Sequence, residues 1–409
     1  MLSVLTRATP VQPTRSAPLV RLLAYTQSLG LEPYLDRRKR GLSTLVLSLV
    51  WLVLAWQGSG RPHHLDQLAD PLLTALLGVA RLPTPQTLHR SLTYFSAQAI
   101  RAAVEAAYQA ELSRRSGRLW VALDSHQVPY WGRGQRERLR KGWSGQHSRV
   151  LRGYRLYLAT DTTTGQVITF MLLRGDARDH RYTAVLARRV RSLLRRRLAG
   201  IVADSGFTSR AAVAALLQAR IPFILGFTRT ARIRVRLATL TGQQRRWLQH
   251  GGAIRLGWCH WDPRLQLLAL SARHPTDGRG PWVYVTSIQG LPPGRLAALY
   301  RQRWRVEQAL DELVNGQDLD HLVTTRLLPN RVALGFQLLA RNLALGYPLP
   351  EAAGQPTVLR EPRAFRTGYV EGLGLFERQE ASLVLLPLQP LPPQTWTLPW
   401  THQIVRLIA

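Results

Sequence analysis

Apolar positions recur at helical spacing through the first 116 residues, in leucine-rich runs at 19–31, 42–57, 65–79 and 98–113. The run from Leu42 to Trp56 is apolar all round, with Ser43 placed to cap it and Gly58 to end it, so it predicts a helix buried in a bundle. It follows a basic cluster, as a membrane anchor would, but falls short of the roughly 18–20 residues that a bilayer requires. Between the last two runs, PTPQTLHRSLTYF predicts a short helix with Thr84 as cap and Pro85 in its first position. Carrying His89 and Arg90, that helix suits a helical DNA-binding module or an ordinary bundle.

From Leu119 the period changes to that of strands. LWVALDS, LRGYRLYLATD and QVITFMLLRG are successive apolar or alternating runs, the second and third joined by the turn TTTG. The helix YTAVLARRVRSLLRRRL follows, then strand AGIVADSGF, helix SRAAVAALLQAR and strand IPFILGF. Three strands, helix, strand, helix, strand predicts an α/β fold of RNase H-like layout, with the first three strands antiparallel. Residues 228–292 interrupt it with RIRVRL, AIRLGWCHW, LQLLALSARH and PWVYVTSIQ, all strand-like, which predicts a β-rich insertion domain. Helix resumes over 293–315 and 331–345, and the Pro-rich LPLQPLPPQTWTLPW in the tail predicts an extended chain wrapping the surface. The expected division is an all-α end-binding region (1–116), an α/β core in two parts (117–227 and 293–350) around the insertion (228–292), and a C-terminal region (351–409).

Charge narrows the function. Lys and Arg number 55 against 24 Asp and Glu, a net charge of +31, which points to a polyanionic partner, nucleic acid above all. Codon bias explains arginine in place of lysine but not the shortage of acids. Cys259 is the single cysteine, so there is no disulfide framework and no cysteine zinc site, as suits a reducing cytosol.

Against that basic background the acids stand out. Asp124 closes one apolar strand run and Asp204 another, and strand ends of an α/β sheet open onto a crevice. Two carboxylates there would repel each other, and a divalent cation relieves both their burial and their repulsion. On a continuous helix Tyr300, Arg303 and Glu307 of YRQRWRVEQALDEL share one face, which supplies a third acid. Taken singly, each Asp is an ordinary turn residue and Glu307 the partner of Arg303 in a helix ion pair; the conjunction, in this order, favours a site.

LDSHQVPYWG, VADSGFTS and YRQRWRVEQALDEL together resemble the DDE transposases of bacterial insertion sequences, in particular the IS-four-like group, over roughly 120–345. That group carries Y-x2-R-x3-E-x6-K, a DSGF-like second motif and a β-strand insertion before the glutamate. The resemblance implies Asp124, Asp204 and Glu307 as the metal-binding triad, with Tyr300 and Arg303 as signature residues beside Arg301. It implies Mg2+ or Mn2+, two ions in all, and cut-and-paste chemistry in which hydrolysis at transposon ends precedes strand transfer. The expected partners are double-stranded DNA at transposon ends and target and a second copy of the chain, in bacterial cytoplasm at the nucleoid, with no nucleotide cofactor and no membrane. The signature lysine is replaced by Val314, which keeps open a weakened or domesticated DNA-binding protein; a membrane-associated basic protein anchored by 42–56 is a third reading.

Further candidates follow from position. Arg188, Arg191 and Arg195 form a stripe on one helix, suited to backbone phosphates. Trp258, Trp261 and Trp282 in the insertion, and Trp131 after the first Asp, are either core or platforms for a flipped base. Asp161 is placed to line the crevice, Asp176 and Asp179 to cap a helix, and His126 to touch metal or phosphate, while Glu312 is expected to face away from Glu307.

Overall fold

The computed structural model describes residues 11–35, 42–133, 139–270, 281–348, 365–366, 369–379, 382–387, 394–398 and 403–407. A short strand, β1 (Gln12–Thr14), leads into helices α1 (Leu19–Ser28), α2 (Glu32–Leu35), α3 (Thr44–Trp56), α4 (Pro71–Leu77), α5 (Pro85–Ser91) and α6 (Ala97–Ser113). Caps set the starts: Ser43 Oγ accepts from Val46 N, and Thr84 Oγ1 from Thr87 N ahead of Pro85. All of α3 is buried, as its uniformly apolar sequence requires. Its two tryptophans keep their N–H groups satisfied, Trp51 on Ser91 Oγ (3.1 Å) and Trp56 on the Ala340 carbonyl (2.9 Å). Among the described residues no helix is long and apolar enough to cross a membrane.

The main sheet is built by β2 (Leu119–Pro129), β3 (Arg140–Ser144), β4 (Arg149–Asp161), β5 (Val167–Arg174), β6 (Leu198–Ala203) and β7 (Phe223–Phe227), with α7 (Asp179–Leu194) and α8 (Arg210–Gln218) as crossovers. Strand β4 pairs antiparallel with β2 on one side and with β3 and then β5 on the other, while β6 and β7 run parallel to β2. Beyond β7 come α9 (Ala231–Ala238), α10 (Gly242–Gln249), β8 (Ala253–Trp258), β9 (Gln266–Leu270) and β10 (Trp282–Thr286). These strands continue the same sheet in the order β7, β10, β9, β8, all antiparallel. Helices α7 and α8 bury Leu186, Val190, Val213 and Leu216 on one face. The other face meets the N-terminal helices together with α11 (Pro293–Arg301), α12 (Trp304–Gln317) and α13 (Leu327–Gly346).

Three expectations fail here. RIRVRL forms α9, not a strand: Thr230 caps it by accepting from Ile233 N, and Ile233 and Leu237, one helical turn apart, pack on the core while Val235 between them stays exposed. The helix expected over 293–315 is broken at Gln302–Arg303, where Arg303 N bonds the Tyr300 carbonyl and Arg305 N the Gln302 carbonyl, a tight 3₁₀-type turn. The tail does not merely wrap the surface, since β11 (Gly374–Arg378), β12 (Ser382–Pro387), β13 (Gln394–Leu398) and β14 (Gln403–Leu407) form a second sheet with β1. Residues 388–393 of the Pro-rich run lie outside the described residues.

Candidate active site

Parallel pairing places the first two acids side by side. Leu123 of β2 is in register with Ala203 of β6, so Asp124 and Asp204, the next residue of each chain, come to the same level at the end of the pairing. Asp124 accepts from Ser125 N (2.7 Å) and Asp204 from Gly206 N (3.0 Å), which fixes both carboxylates. Gly226 of β7 allows the approach, because a Cβ there would sit 2.6 Å from Ser205 N. From the opposite layer, the turn at 302–303 stacks Arg303 over the Tyr300 ring (5.6 Å), and one helical turn later Arg303 Nη2 meets Glu307 Oε1 at 2.5 Å. The 3₁₀ turn, in which residues three apart eclipse, thus delivers the juxtaposition that a straight helix was expected to give.

Arg303 is the centre of the cluster. Its Nη1 lies 3.7 Å from Asp124 Oδ2, and its guanidinium is largely buried. Burial pushes Asp124 up to about 7; Arg303 opposes the rise, and Asp204 and Glu307 add to it. Asp204 is raised as well, by burial, against Arg303 and with help from Asp179. For Arg303 burial works against the charge, but Tyr300, Glu307 and Asp124 outweigh it and hold the guanidinium firmly protonated. Burial pushes Tyr300 up to about 12, and its ring packs on Tyr284 of β10 (4.1 Å).

This donor set suits a hard divalent cation: three carboxylates, close enough that Asp204 and Glu307 both act on Asp124, with one guanidinium to balance them. Among the described residues no three acidic, His or Cys side chains already close into a cation cage. Arg303 sits among the carboxylates as their counter-charge, so a divalent ion would share or displace it.

Sequence reasoning missed two acids around the site. Asp179 was expected only to cap α7; it opens that helix, pairs with Arg155 (3.2 Å) and raises Asp204. Asp320, in the loop after α12, is buried and joins three elements: His126 Nε2 meets Oδ1 at 2.5 Å, His147 Nε2 meets Oδ2 at 3.1 Å, and Trp131 Nε1 donates to its carbonyl at 3.0 Å. His126 is therefore engaged with Asp320. Asp320→Ala should strand two imidazoles, lower stability by about 1–3 kcal/mol and loosen the loop after α12; hydrogen exchange of 318–325 checks this, and unchanged protection there would refute it. No signal in the sequence marks Asp320, because its partners lie far away along the chain.

The remaining candidates separate. Asp161 does not line the site: it is fully buried near the opposite end of β2, across from Val121, taking bonds from Tyr108 (2.9 Å) and Arg115 (2.7 Å). Asp176 pairs with Arg174, and Glu312 does face away, joined to buried Arg341 (2.7 Å). Arg301 donates to the Gly251 carbonyl (3.2 Å) beside the cluster. Arg188, Arg191 and Arg195 are exposed along α7 and its end, in the layer opposite Glu307. Trp258 and Trp282 are exposed, whereas Trp261 packs on Phe227 (4.7 Å). Val314 packs partly buried against the core.

A family model described as "Transposase DDE domain" matches residues 115–343, which include every carboxylate of the cluster. No curated protein matches the chain significantly. Among solved structures, the cryo-EM structure of the piggyBac transposase synaptic complex with hairpin DNA aligns with a TM-score of 0.51 and 14% identity, over 88% of this chain and 82% of that one. The Mos1 mariner paired-end complex with Mn covers 37% of this chain and 52% of that one, with a TM-score of 0.18 and 13% identity. The Mos1 transposase paired-end complex with left transposon end covers 38% and 52%, at 0.17 and 15%. The piggyBac likeness bears on the fold.

Proposed function

The chain belongs to the transposase DDE domain family, and we propose that it is a cut-and-paste transposase of the IS-four-like group that cleaves transposon ends and joins them to target DNA. The observation carrying this reading is the convergence of Asp124 and Asp204 with Glu307 around Arg303. The strand order β5, β4, β2, β6, β7 supports an RNase H-like core, with 228–292 as the insertion between the second acid and Glu307 and 1–116 as the end-binding region.

In this reading Asp124, Asp204 and Glu307 hold Mg2+ or Mn2+, two ions in all, which when bound would activate the attacking oxygen and stabilise the leaving one. Arg303, freed in part from the carboxylates, would hold a phosphate, and Tyr300 would keep its guanidinium in place from below. Val306 and Leu310 of α12 are buried and pin the helix that carries Glu307. Trp282 is favoured as the base platform over Trp258 and Trp261, because it shares a strand face with Tyr284, which packs on Tyr300. Arg301, Arg188, Arg191 and Arg195 would meet backbone phosphates. Holding two ends calls for a homodimer, in the bacterial cytoplasm at the nucleoid.

The test is cleavage of duplex DNA carrying the ends of the encoding element. The full chain should release 3′-hydroxyl ends and join them to a target plasmid in Mg2+ or Mn2+ but not in EDTA, and Glu307→Gln should lower the yield about tenfold or more. Cleavage that persists in EDTA, or in Glu307→Gln at the wild-type rate, would overturn the assignment. Binding without cleavage under every condition would instead support the weakened DNA-binding protein suggested by Val314.

A further inference from the structure

Strands β3 and β4 form a two-stranded ribbon with an inner face turned to the protein and an outer face turned away from it. The inner face is packed at its centre, where Ser144 is buried and a Cβ on Gly142 would lie 2.2 Å from the Gly175 carbonyl oxygen and 2.6 Å from Gln127 Oε1, while Arg140 and Arg149 at its margins are exposed. On that side Arg149 covers the Trp131 ring (5.6 Å), and His147 sets its edge against the same ring (5.5 Å). Among the described residues the outer face is open. There Trp143 pairs directly across the ribbon with Val150, and the two are 58% and 57% exposed. Lys141 and Arg152, the next same-face pair, lie beside them. Residues 139–153 include four basic side chains, Arg140, Lys141, Arg149 and Arg152, and no acid.

A large apolar pair framed by cations and left uncovered calls for an occupant that is both anionic and able to accept an apolar insert. Another copy of a chain with a net charge of +31 would bring like charge to this face. Duplex DNA offers what the ribbon lacks, phosphates for Lys141 and Arg152 and stacked bases between which an apolar wedge can enter. A two-stranded β-ribbon is narrow enough to lie along a groove.

We propose that the outer face of the β3–β4 ribbon binds double-stranded DNA, with Trp143 and Val150 inserted as a wedge at a base step and Lys141 and Arg152 on the flanking phosphates. This rests on the reading of the chain as a DNA-acting enzyme. The inner face gives the contact its purpose, since Asp320 joins His147 of the ribbon turn to His126 of the strand bearing Asp124. A kink held by the ribbon is therefore held at a fixed place relative to the carboxylates.

The experiment is relaxation of a closed circular plasmid by a type I topoisomerase in EDTA, with the full-length chain present. Wedge insertion unwinds and bends the duplex, so the wild type should shift the linking number of the relaxed product. Trp143→Ala/Val150→Ser, at exposed positions, should lose most of that shift while binding the plasmid within a few fold of wild type, and Trp143→Phe should restore it. Lys141→Ala/Arg152→Ala should weaken binding and reduce its salt slope by about one for each phosphate left without a cation. A Trp143→Ala/Val150→Ser variant that shifts the linking number as the wild type does, or a wild type that binds without shifting it, overturns the wedge and leaves DNA binding standing. If that variant changes the sedimentation of the DNA-free chain, the face is a contact between copies, which also overturns the wedge. A wild type that does not bind the plasmid overturns the wedge and the transposase reading together.

Discussion

Asp124→Asn should abolish strand cleavage, a loss of at least about 10^3-fold, and at the same time make the fold more stable at pH 8. The two effects have one cause. Burial, opposed by Arg303 and reinforced by Asp204 and Glu307, pushes the Asp124 carboxyl up to about 7, from an ordinary value of 3.8. Well below pH 3.8 the carboxyl is protonated whether the chain is folded or unfolded, and it adds no ionisation cost. Between pH 4 and 7 the unfolded chain gives up its proton first, so stability falls; above pH 7 the cost is constant. Asparagine has no proton to lose. The variant should therefore melt like the wild type at pH 4 and a few degrees higher at pH 8, a gain on the order of 1–4 kcal/mol. Thermal melts across that range in EDTA check it, and curves that run parallel at every pH would mean that Asp124 is not held at a cost.

That cost shows why part of the site was legible in the sequence. An acid that closes an apolar run conflicts with its surroundings; Asp124 and Asp204 both do so in the sequence, and it was their conjunction with Glu307 that marked them, although β2 runs on past Asp124 to Pro129. The crossover helix α7, leading from β5 to β6, sets β6 parallel to β2, and pairing then brings Leu123 level with Ala203. Glu307 was legible for an incomplete reason: the spacing of Tyr300, Arg303 and Glu307 suggested one helical face, whereas a 3₁₀ turn at 302–303 does the work of bringing Tyr300 and Arg303 together. What pattern could not carry was contact between distant segments. Asp320 meets His126 and His147 from almost two hundred residues away. The second sheet joins β1, near the N-terminus, to β11, and pairs β12 parallel to β14 across an intervening strand. Charge alternation in RIRVRL misled because the segment is too short to separate the two periods: Ile233 and Leu237 fit one face of a helix as well as one face of a strand.

Arg303→Ala should have the largest effect on stability. Its guanidinium is the counter-charge for Asp124 and Glu307 and acts on Asp204 as well. Removing one member of a fully buried charge pair typically costs about 3–5 kcal/mol; the cost here is smaller, because Glu307 is 42% exposed and solvent screens it. Without Arg303 the largest opposition to the burial of Asp124 is gone, so its carboxyl should rise further and stability should go on falling with pH above 7, where the wild type has levelled off. A divalent ion supplies the missing charge. Millimolar Mn2+ should therefore raise the melting temperature of Arg303→Ala more than that of the wild type, where the guanidinium competes for the same oxygens. Melting in EDTA and in Mn2+ tests both halves: a variant as stable as the wild type in EDTA would show that the carboxylates do not need the arginine, and a variant indifferent to Mn2+ would show that they do not gather a cation. If both halves hold, Arg303 is the counter-charge that keeps the acids folded against one another, and Asp124, Asp204 and Glu307 are the residues that would hold a divalent ion in its stead.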